Sequence, residues 1–124
     1  MNSYVIVFLG SGLGGMVRHA ANVWLPRMFG TAFPYHTLIV NIVGSLVMGL
    51  LAGYFALKTD PGQDWRLFLT TGIMGGFTTF SAFSLDTVLL YQRGELALAA
   101  VYVLASVGVS IAALFAGLSI MRTV

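Results

Sequence analysis

One apolar run decides the architecture of this chain: residues 96–121 read LALAAVYVLASVGVSIAALFAGLSIM and contain no charged side chain. A membrane-spanning helix needs about 20 mostly apolar residues, so this run is long enough to cross a bilayer. Three further stretches qualify, at residues 4–25, 37–57 and 67–90, although Arg18 and His19 interrupt the first. The turn-forming segments 26–34, 58–64 and 92–95 separate them. The sequence therefore predicts an all-α membrane protein, with residues 1–124 forming a single domain of four transmembrane helices.

The composition supports a membrane protein and excludes several other classes. Charged residues make up 8% of the 124 residues, whereas a soluble domain usually carries about 25%. The six cations are scattered along the chain, so no basic patch for nucleic acid is expected. There is no cysteine for thiol or thiolate-metal chemistry. The two histidines, His19 and His36, have no nearby carboxylate in sequence, which argues against a metal site or an acid–base pair.

The numbers of Lys and Arg residues near the ends of the spans predict no strong preference for one orientation in the membrane. Lys58, Arg66 and Arg122 fall on the face that holds both termini. The other face has Arg27 and Arg93, plus Arg18 if that side chain extends in the same direction. The chain has no cation before its first apolar stretch, which disfavours a signal peptide. Because the two faces carry nearly equal numbers of cations, the chain is expected to insert in both orientations. Antiparallel pairing of identical chains is then plausible.

Polar residues inside the spans mark candidate sites, because such residues are costly in a membrane. Asn41 begins a stripe at helical spacing with Ser45, Gly49 and Gly53. This stripe either packs closely against another helix, with Asn41 making an interhelical hydrogen bond, or it presents the Asn41 amide to a solute. In the fourth span, three hydroxyls recur every four residues, at Tyr102, Ser106 and Ser110. They either bond to carbonyls one turn back or form a track for an ion.

The third span is unusual at its centre, where residues 72–84 read GIMGGFTTFSAFS. Paired glycines followed by Thr-Thr disfavour a continuous helix, and a helix broken at the midplane frees backbone groups that can bind ions. Phe77, Phe80 and Phe83 recur at three-residue spacing, which indicates either ordinary packing or ring edges along a pathway. Ring edges are weakly positive and favour a small anion. Asp86 ends the span, at an interface or at a pathway mouth.

The segment 10–15 matches G-x-G-x-x-G but lacks the strand and the later acidic residue of a dinucleotide site. These glycines are better interpreted as a helix-packing face. Four helices of this size cannot enclose a pathway by themselves, because side chains fill the middle of such a bundle. Transport would therefore favour an oligomer.

Taken together, residues 12–19, 37–45 and 75–84 resemble the Fluc (CrcB) fluoride channels of bacteria in motif order, length and number of spans. The string Gly-Gly-Phe-Thr-Thr-Phe-Ser-x-Phe-Ser at 75–84 is the most specific part of this resemblance. The resemblance implies an antiparallel, dual-topology homodimer in the bacterial inner membrane. It also implies passive fluoride export through two narrow pathways, with the bilayer, fluoride and a second copy as partners.

The same resemblance implies roles for individual residues. Phe80 and Phe83 would line the pathways with the Asn41 amide. Arg18 is not assigned by the resemblance; from its position deep in the first span it either extends to the lipid headgroups or attracts an anion into a vestibule. The carbonyls of Gly75 and Thr78 would hold a structural sodium ion shared across the dimer. The remaining pathway hydroxyls would be Ser81, Ser84, Tyr102, Ser106 and Ser110. Ala82 departs from the family pattern, which usually has Thr there, and this puts one hydroxyl of the pathway in doubt.

Two alternatives belong to other classes. A small multidrug exporter also has four short helices, but it depends on a carboxylate in its first helix, and the first acidic residue here is Asp60. A non-transporting assembly subunit would use the glycine seams only for packing and would pass no ions. No enzyme constellation is found, and no organic cofactor is expected.

Overall fold

Every regular element of the chain is helical in a computed structural model that describes residues 2–58 and 60–124. Helix α1 is Ser3–Phe29 and α2 is Tyr35–Leu57. Helix α3, residues 63–77, consists of the consecutive segments Gln63–Arg66, Leu67–Met74 and Gly75–Phe77. Helix α4 is Ser81–Gln92 and α5 is Leu96–Thr123. With α3 and α4 counted as one span, four helices in these ranges are long and apolar enough to cross a membrane, as the sequence predicted.

The first helix extends beyond its expected end at Leu25 and includes Pro26 in its last turn. Proline lacks an N–H donor, so one intrahelical hydrogen bond is lost there. The Pro26 carbonyl nevertheless accepts a 2.8 Å hydrogen bond from the Gly30 N–H, which closes the helix. Gly30 has φ of 82°, a conformation that glycine adopts readily. Gly30 rather than Pro26 is therefore the residue that ends α1.

The third span departs from regular α-helix, but not at its glycine pair. Leu67–Met74 is wound as a π-helix, and Gly75–Phe77 returns to α-helical geometry. Helical geometry stops at residues 78–80, where Thr78 is extended with ψ of 159°, and it resumes at Ser81. The two halves continue in nearly the same direction, with a bend of 17°. The change in backbone geometry is thus local and leaves one continuous span.

Glycines allow the helices to approach closely in two places. A Cβ at Gly14 would collide with the Ile73 carbonyl of α3, and one at Gly49 would collide with the Leu114 carbonyl of α5. Gly10 likewise lies against the backbone of α3. The predicted packing role of segment 10–15 is therefore confirmed for Gly10 and Gly14. Gly12, in contrast, has open space where a Cβ would be.

Side-chain hydrogen bonds stabilise the connections at the two ends of the helix bundle. At one end, the Arg93 guanidinium donates a 3.2 Å hydrogen bond to the Ala32 carbonyl, which joins the α1–α2 and α4–α5 connections. At the other end, Asp60 accepts from the Gly62 N–H at 3.0 Å and from Arg66 at 3.1 Å. The Gly62 hydrogen bond, followed by that of Arg66, lowers the pKa of the exposed Asp60 carboxyl. Neighbouring spans therefore run in opposite directions with short, restrained connections.

Candidate functional site

A cleft of about 330 Å³ lies where α2 and α5 face the non-helical residues 78–80. Phe80 and Phe83 contribute its aromatic wall. Its polar lining combines one amide with hydroxyl groups from three elements, namely Asn41, Ser45, Thr78, Thr79, Ser106 and Ser110. No charged side chain of residues 2–58 or 60–124 lines it. The cleft thus offers hydrogen-bonding groups in an uncharged environment.

Asn41 connects α2 to the non-helical backbone. Its Nδ2 donates a 2.9 Å hydrogen bond to the Thr79 carbonyl, and its Oδ1 accepts a 2.8 Å hydrogen bond from the Thr79 N–H. A primary amide has two N–H donors, and the Thr79 carbonyl uses one of them. The second N–H has no partner among residues 2–58 and 60–124, and Asn41 is one of the residues that line the cleft. The two interpretations of Asn41 from the sequence, as an interhelical hydrogen-bonding residue and as a donor to a solute, are therefore compatible.

The two hydrogen bonds between Asn41 and Thr79 change the hydrogen bonding of the neighbouring residues. In a continuous α-helix, the Thr79 N–H would donate to the Gly75 carbonyl; here it donates to Asn41 instead. The Thr79 hydroxyl accepts a 3.1 Å hydrogen bond from the Ala82 N–H, one of the N–H groups in the first turn of α4 that lack an intrahelical partner. Sequence reasoning did not single out Thr79. The signal that could have identified it is a threonine just before a helix, whose hydroxyl can accept a hydrogen bond from the backbone N–H three residues later.

The two phenylalanines of the cleft have very different exposure. The Phe80 ring is 77% exposed, whereas Phe83 is 9% exposed and belongs to the core. Their ring centroids lie 5.5 Å apart at an interplanar angle of 54°. Phe83 also packs on Tyr102, at a centroid distance of 5.3 Å. Phe83 is therefore fixed by its neighbours, while Phe80 lies on an open side of the cleft.

The hydroxyls of Ser106 and Ser110 both line the cleft. Their Oγ atoms are buried and have no hydrogen-bond partner among the described residues. The alternative in which these serines bond to carbonyls one turn back is therefore not realised. Unpartnered buried hydroxyls are costly, so the two Oγ atoms have a hydrogen-bonding capacity that the described residues leave unused.

Tyr102 shares the helix face of the two serines but is completely buried. Its hydroxyl donates a 3.1 Å hydrogen bond to Oδ2 of Asp86. The ring packs against Phe83 and, edge-on, against Phe33 at 5.5 Å. Tyr102 does not contribute to the cleft lining. It instead connects the aromatic wall of the cleft to the carboxylate of Asp86.

Several other candidates lie outside the cleft lining. The Ser84 hydroxyl donates to the Phe80 carbonyl at 3.0 Å, one turn back along α4. Ser81 is exposed, and its hydroxyl lies 3.4 Å from that of Thr79. Gly75 is exposed on α3, and Arg18 is partly buried on α1. The structure thus brings together Asn41 and Thr78 with the two phenylalanines and the two α5 serines, but not these four residues.

The chemistry of the cleft suits a small anion better than a metal or a reaction. Amide and hydroxyl donors can replace water around an anion, and ring edges add weak positive potential without a countercharge that would trap it. No group of three or more His, Cys, Asp or Glu side chains suitable for a metal occurs in residues 2–58 and 60–124. Any metal in the cleft would have to bind backbone, amide or hydroxyl oxygens.

The fold and this cleft define a multi-pass membrane protein with an uncharged polar cleft between its helices. Residues 5–118 match the family model described as CrcB-like protein, Camphor Resistance (CrcB). The chain belongs to this CrcB family. It is 62% identical over 122 residues to a "Fluoride-specific ion channel FluC" of Rhodopseudomonas palustris (strain BisB5), with 98% of each chain covered.

Two further relatives are also described as fluoride-specific ion channels. "Fluoride-specific ion channel FluC 2" of Nitrobacter hamburgensis is 56% identical over 120 residues and covers 97% of each chain. A "Fluoride-specific ion channel FluC" of Agrobacterium fabrum is 50% identical over 122 residues, with 98% of each chain covered. The similarity therefore extends over nearly the whole chain and includes all four spans.

Proposed function

We propose that this chain is a fluoride-selective ion channel through which fluoride leaves the cell passively. The observation that carries the proposal is the uncharged cleft in which the Asn41 amide and two unpartnered serine hydroxyls face the phenylalanine wall. The names of its close relatives, which cover nearly the same length, support the same function. A channel of this kind needs no catalytic residue and no energy source.

Selectivity follows from the donors and from the confined space. Fluoride is small and strongly hydrated, so a pathway must return hydrogen bonds as water is removed. The free N–H of Asn41 and the hydroxyls of Ser106 and Ser110 supply these bonds in succession. Phe80 and Phe83 add ring-edge potential beside them. A larger anion with weaker hydration gains less from the same donors and fits the space less well.

The functional unit in this proposal is an antiparallel homodimer in the bacterial inner membrane. One chain leaves its cleft open on the side where Phe80 is 77% exposed. A second copy would close that side, and the near balance of cations on the two faces favours insertion in both orientations. Two copies would form two symmetrical pathways.

A structural sodium ion is part of the proposal. Sodium prefers oxygen ligands, and the carbonyls of Gly75 and Thr78 flank the point where helical geometry stops. The Gly75 carbonyl fits this role because the Thr79 N–H donates to Asn41 instead. Two carbonyls from one chain would supply part of the coordination of the ion, and the same pair from a second copy would add to it. The ion would fix the two chains to each other.

Efflux from liposomes containing only this protein tests the function. Fluoride should leave much faster than chloride at equal gradients, without nucleotide and without a proton gradient. Equal rates for the two anions would contradict selectivity. A strict requirement for a proton gradient would favour a small multidrug exporter, and absence of flux for either anion would favour an assembly subunit.

The orientation is tested separately in whole cells. A reporter tag on the carboxyl terminus should be detected on both sides of the inner membrane. Labelling on one side alone would contradict dual topology and leave the channel function to be decided by the efflux experiment.

A further inference from the structure

Helix α4 begins at the edge of the polar cleft. Its first residue is Ser81, and the non-helical residues 78–80 before it line the cleft together with Phe83 in its first turn. The helix is 12 residues long, and aligned peptide dipoles place roughly half a positive elementary charge at the N-terminus of a helix. The start of α4 is therefore a source of positive potential at a cleft whose described lining has no cationic side chain.

The N–H groups in the first turn of α4 differ in whether they are paired. A helix leaves its first N–H groups without intrahelical acceptors. The Ala82 N–H donates to the Thr79 hydroxyl, and from Ser84 onward the N–H groups donate one turn back along the chain. The N–H groups of Ser81 and Phe83 have no acceptor among residues 2–58 and 60–124. Two backbone donors at the positive end of the helix are therefore unused.

The Phe83 N–H lacks an acceptor because of the contact between Asn41 and Thr79. In a continuous helix the Phe83 N–H would donate to the Thr79 carbonyl, but that carbonyl accepts from the Asn41 side chain. Phe83 is 9% exposed, so solvent has little access to this residue. A buried N–H without an acceptor is costly, and an acceptor in the cleft would remove that cost.

The Ser106 hydroxyl is an independent observation that points to a ligand at the same place. Ser106 lies on α5, is 6% exposed and lines the cleft with Phe83 and residues 78–80. Its Oγ is buried and has no hydrogen-bond partner within the described part of the chain. A serine hydroxyl can donate one hydrogen bond. The cleft thus combines an unpartnered hydroxyl donor with unpartnered backbone donors, and a small anion can accept from both.

The acidic residue of α4 does not face this position. Asp86 lies five residues beyond Ser81 and is not part of the cleft lining. Its carboxylate accepts from the Tyr102 hydroxyl and lines a separate cavity together with Arg93. The start of α4 therefore keeps its positive potential on the cleft side.

We propose, on the basis of the fluoride-channel function above, that the first turn of α4 and the Ser106 hydroxyl form an anion-binding site, in which the N–H groups of Ser81 and Phe83 donate to fluoride. N–H groups at a helix start point outward along the helix axis, so one small ion can accept from both. This site is distinct from the carbonyls of Gly75 and Thr78, which lie at the negative end of α3 and suit a cation. The interruption at residues 78–80 thus separates a place for an anion from a place for a cation.

Nuclear magnetic resonance of the isotope-labelled full chain in detergent micelles tests the proposal. Sodium fluoride is added, with sodium chloride at equal ionic strength as the reference. The amide protons of Ser81 and Phe83 should shift with fluoride to a plateau, show splitting by the fluorine nucleus, and remain unchanged in chloride. The matched control is the first turn of α5, where Ala97 and Leu98 are exposed; their amide protons should respond no more to fluoride than to chloride.

Ser106→Ala should weaken the apparent affinity for fluoride, read from the same two amide protons, by about tenfold. Ser119→Ala, at an exposed position of the same helix, should leave it unchanged. Amide protons of Ser81 and Phe83 that ignore fluoride, that respond equally to chloride, or that respond equally in Ser106→Ala would overturn the proposal. Liposome efflux with the same preparation separates the two claims: fluoride efflux with unresponsive amides contradicts this site alone, whereas absence of efflux contradicts the channel function.

Discussion

The side chain of Asn41 holds both backbone polar groups of Thr79, donating to its carbonyl at 2.9 Å and accepting from its N–H at 2.8 Å. Backbone groups that lose their helical partners inside a membrane must be satisfied by other protein groups. One amide on α2 therefore satisfies the backbone of Thr79 in the non-helical segment 78–80, and the same residue lines the cleft. The structural role of Asn41 and the role proposed for it in fluoride passage depend on the same geometry.

Asn41→Asp should suppress fluoride flux by at least about tenfold. An ionised carboxylate can still accept from the Thr79 N–H, but it cannot donate to the Thr79 carbonyl or to fluoride, and its charge repels the anion. Efflux per reconstituted protein at neutral pH is the measurement. Asn22→Asp, on an exposed position of α1, is the matched control and should conduct normally. Comparable flux in the two variants would contradict a place for Asn41 in the pathway.

Phe80→Ile should lower fluoride efflux by about tenfold or more, because apolar volume is kept while the ring quadrupole is lost. Phe80 is 77% exposed, so the free energy of unfolding of the chain should change by less than about 0.5 kcal/mol. Phe8→Ile, at a ring that is 75% exposed on α1, provides the comparison. If both substitutions left efflux unchanged, Phe80 would be a lipid-facing or packing residue only.

Replacement of both Ser106 and Ser110 by alanine tests the hydroxyl track. Their Oγ atoms have no partner within the described part of the chain, so their loss should leave folding unchanged or slightly improved. Fluoride flux should nevertheless fall, since two donors disappear from the cleft. Ser119→Ala, at an exposed position of the same helix, should have no effect. Normal flux in the double variant would place the pathway elsewhere.

Helix packing is tested by two glycine-to-alanine substitutions. Gly49→Ala should destabilise the fold by about 1–3 kcal/mol, because the new methyl group meets the Leu114 backbone. Gly12→Ala has open space in the chain and should be neutral or stabilise α1 by up to about 1 kcal/mol. Thermal unfolding of the purified protein in detergent compares them. Equal stability of the two variants would contradict the close approach of α2 and α5.

Much of the architecture could be predicted from the sequence because charged residues and turn residues delimit the spans. The predicted end of α1 at Leu25 is wrong, because the sequence analysis takes Pro26 as the first residue of a connection. A proline in the last turn removes one hydrogen bond, and the positive φ at Gly30 is what stops the helix. The paired glycines and the Thr-Thr that follows them predict an interruption of the third span; Gly75–Phe77 is α-helical, and regular helical geometry stops only at residues 78–80. Gly76 instead allows close contact with the Ser11 backbone.

The cleft was only partly predictable. Helical spacing placed Ser106 and Ser110 on one face, and in the structure they line the same cleft as Asn41. Spacing alone could not show that Ser84 would bond to the carbonyl of Phe80 or that Tyr102 would be drawn to Asp86. The partnership of Asn41 with Thr79 joins residues 38 positions apart, and such contacts depend on tertiary packing.

The central claim is that fluoride passes along the cleft lined by Asn41, Phe80 and the α5 serines. The chain has no cysteine, so a thiol placed at Ser110 would be its only one. Fluoride efflux from liposomes is measured for Ser110→Cys before and after addition of mercuric ion, with Ser119→Cys and wild type as controls. The account predicts that mercury stops efflux through Ser110→Cys and leaves both controls unaffected. Unchanged efflux through mercury-treated Ser110→Cys, or equal inhibition of Ser119→Cys, would contradict it.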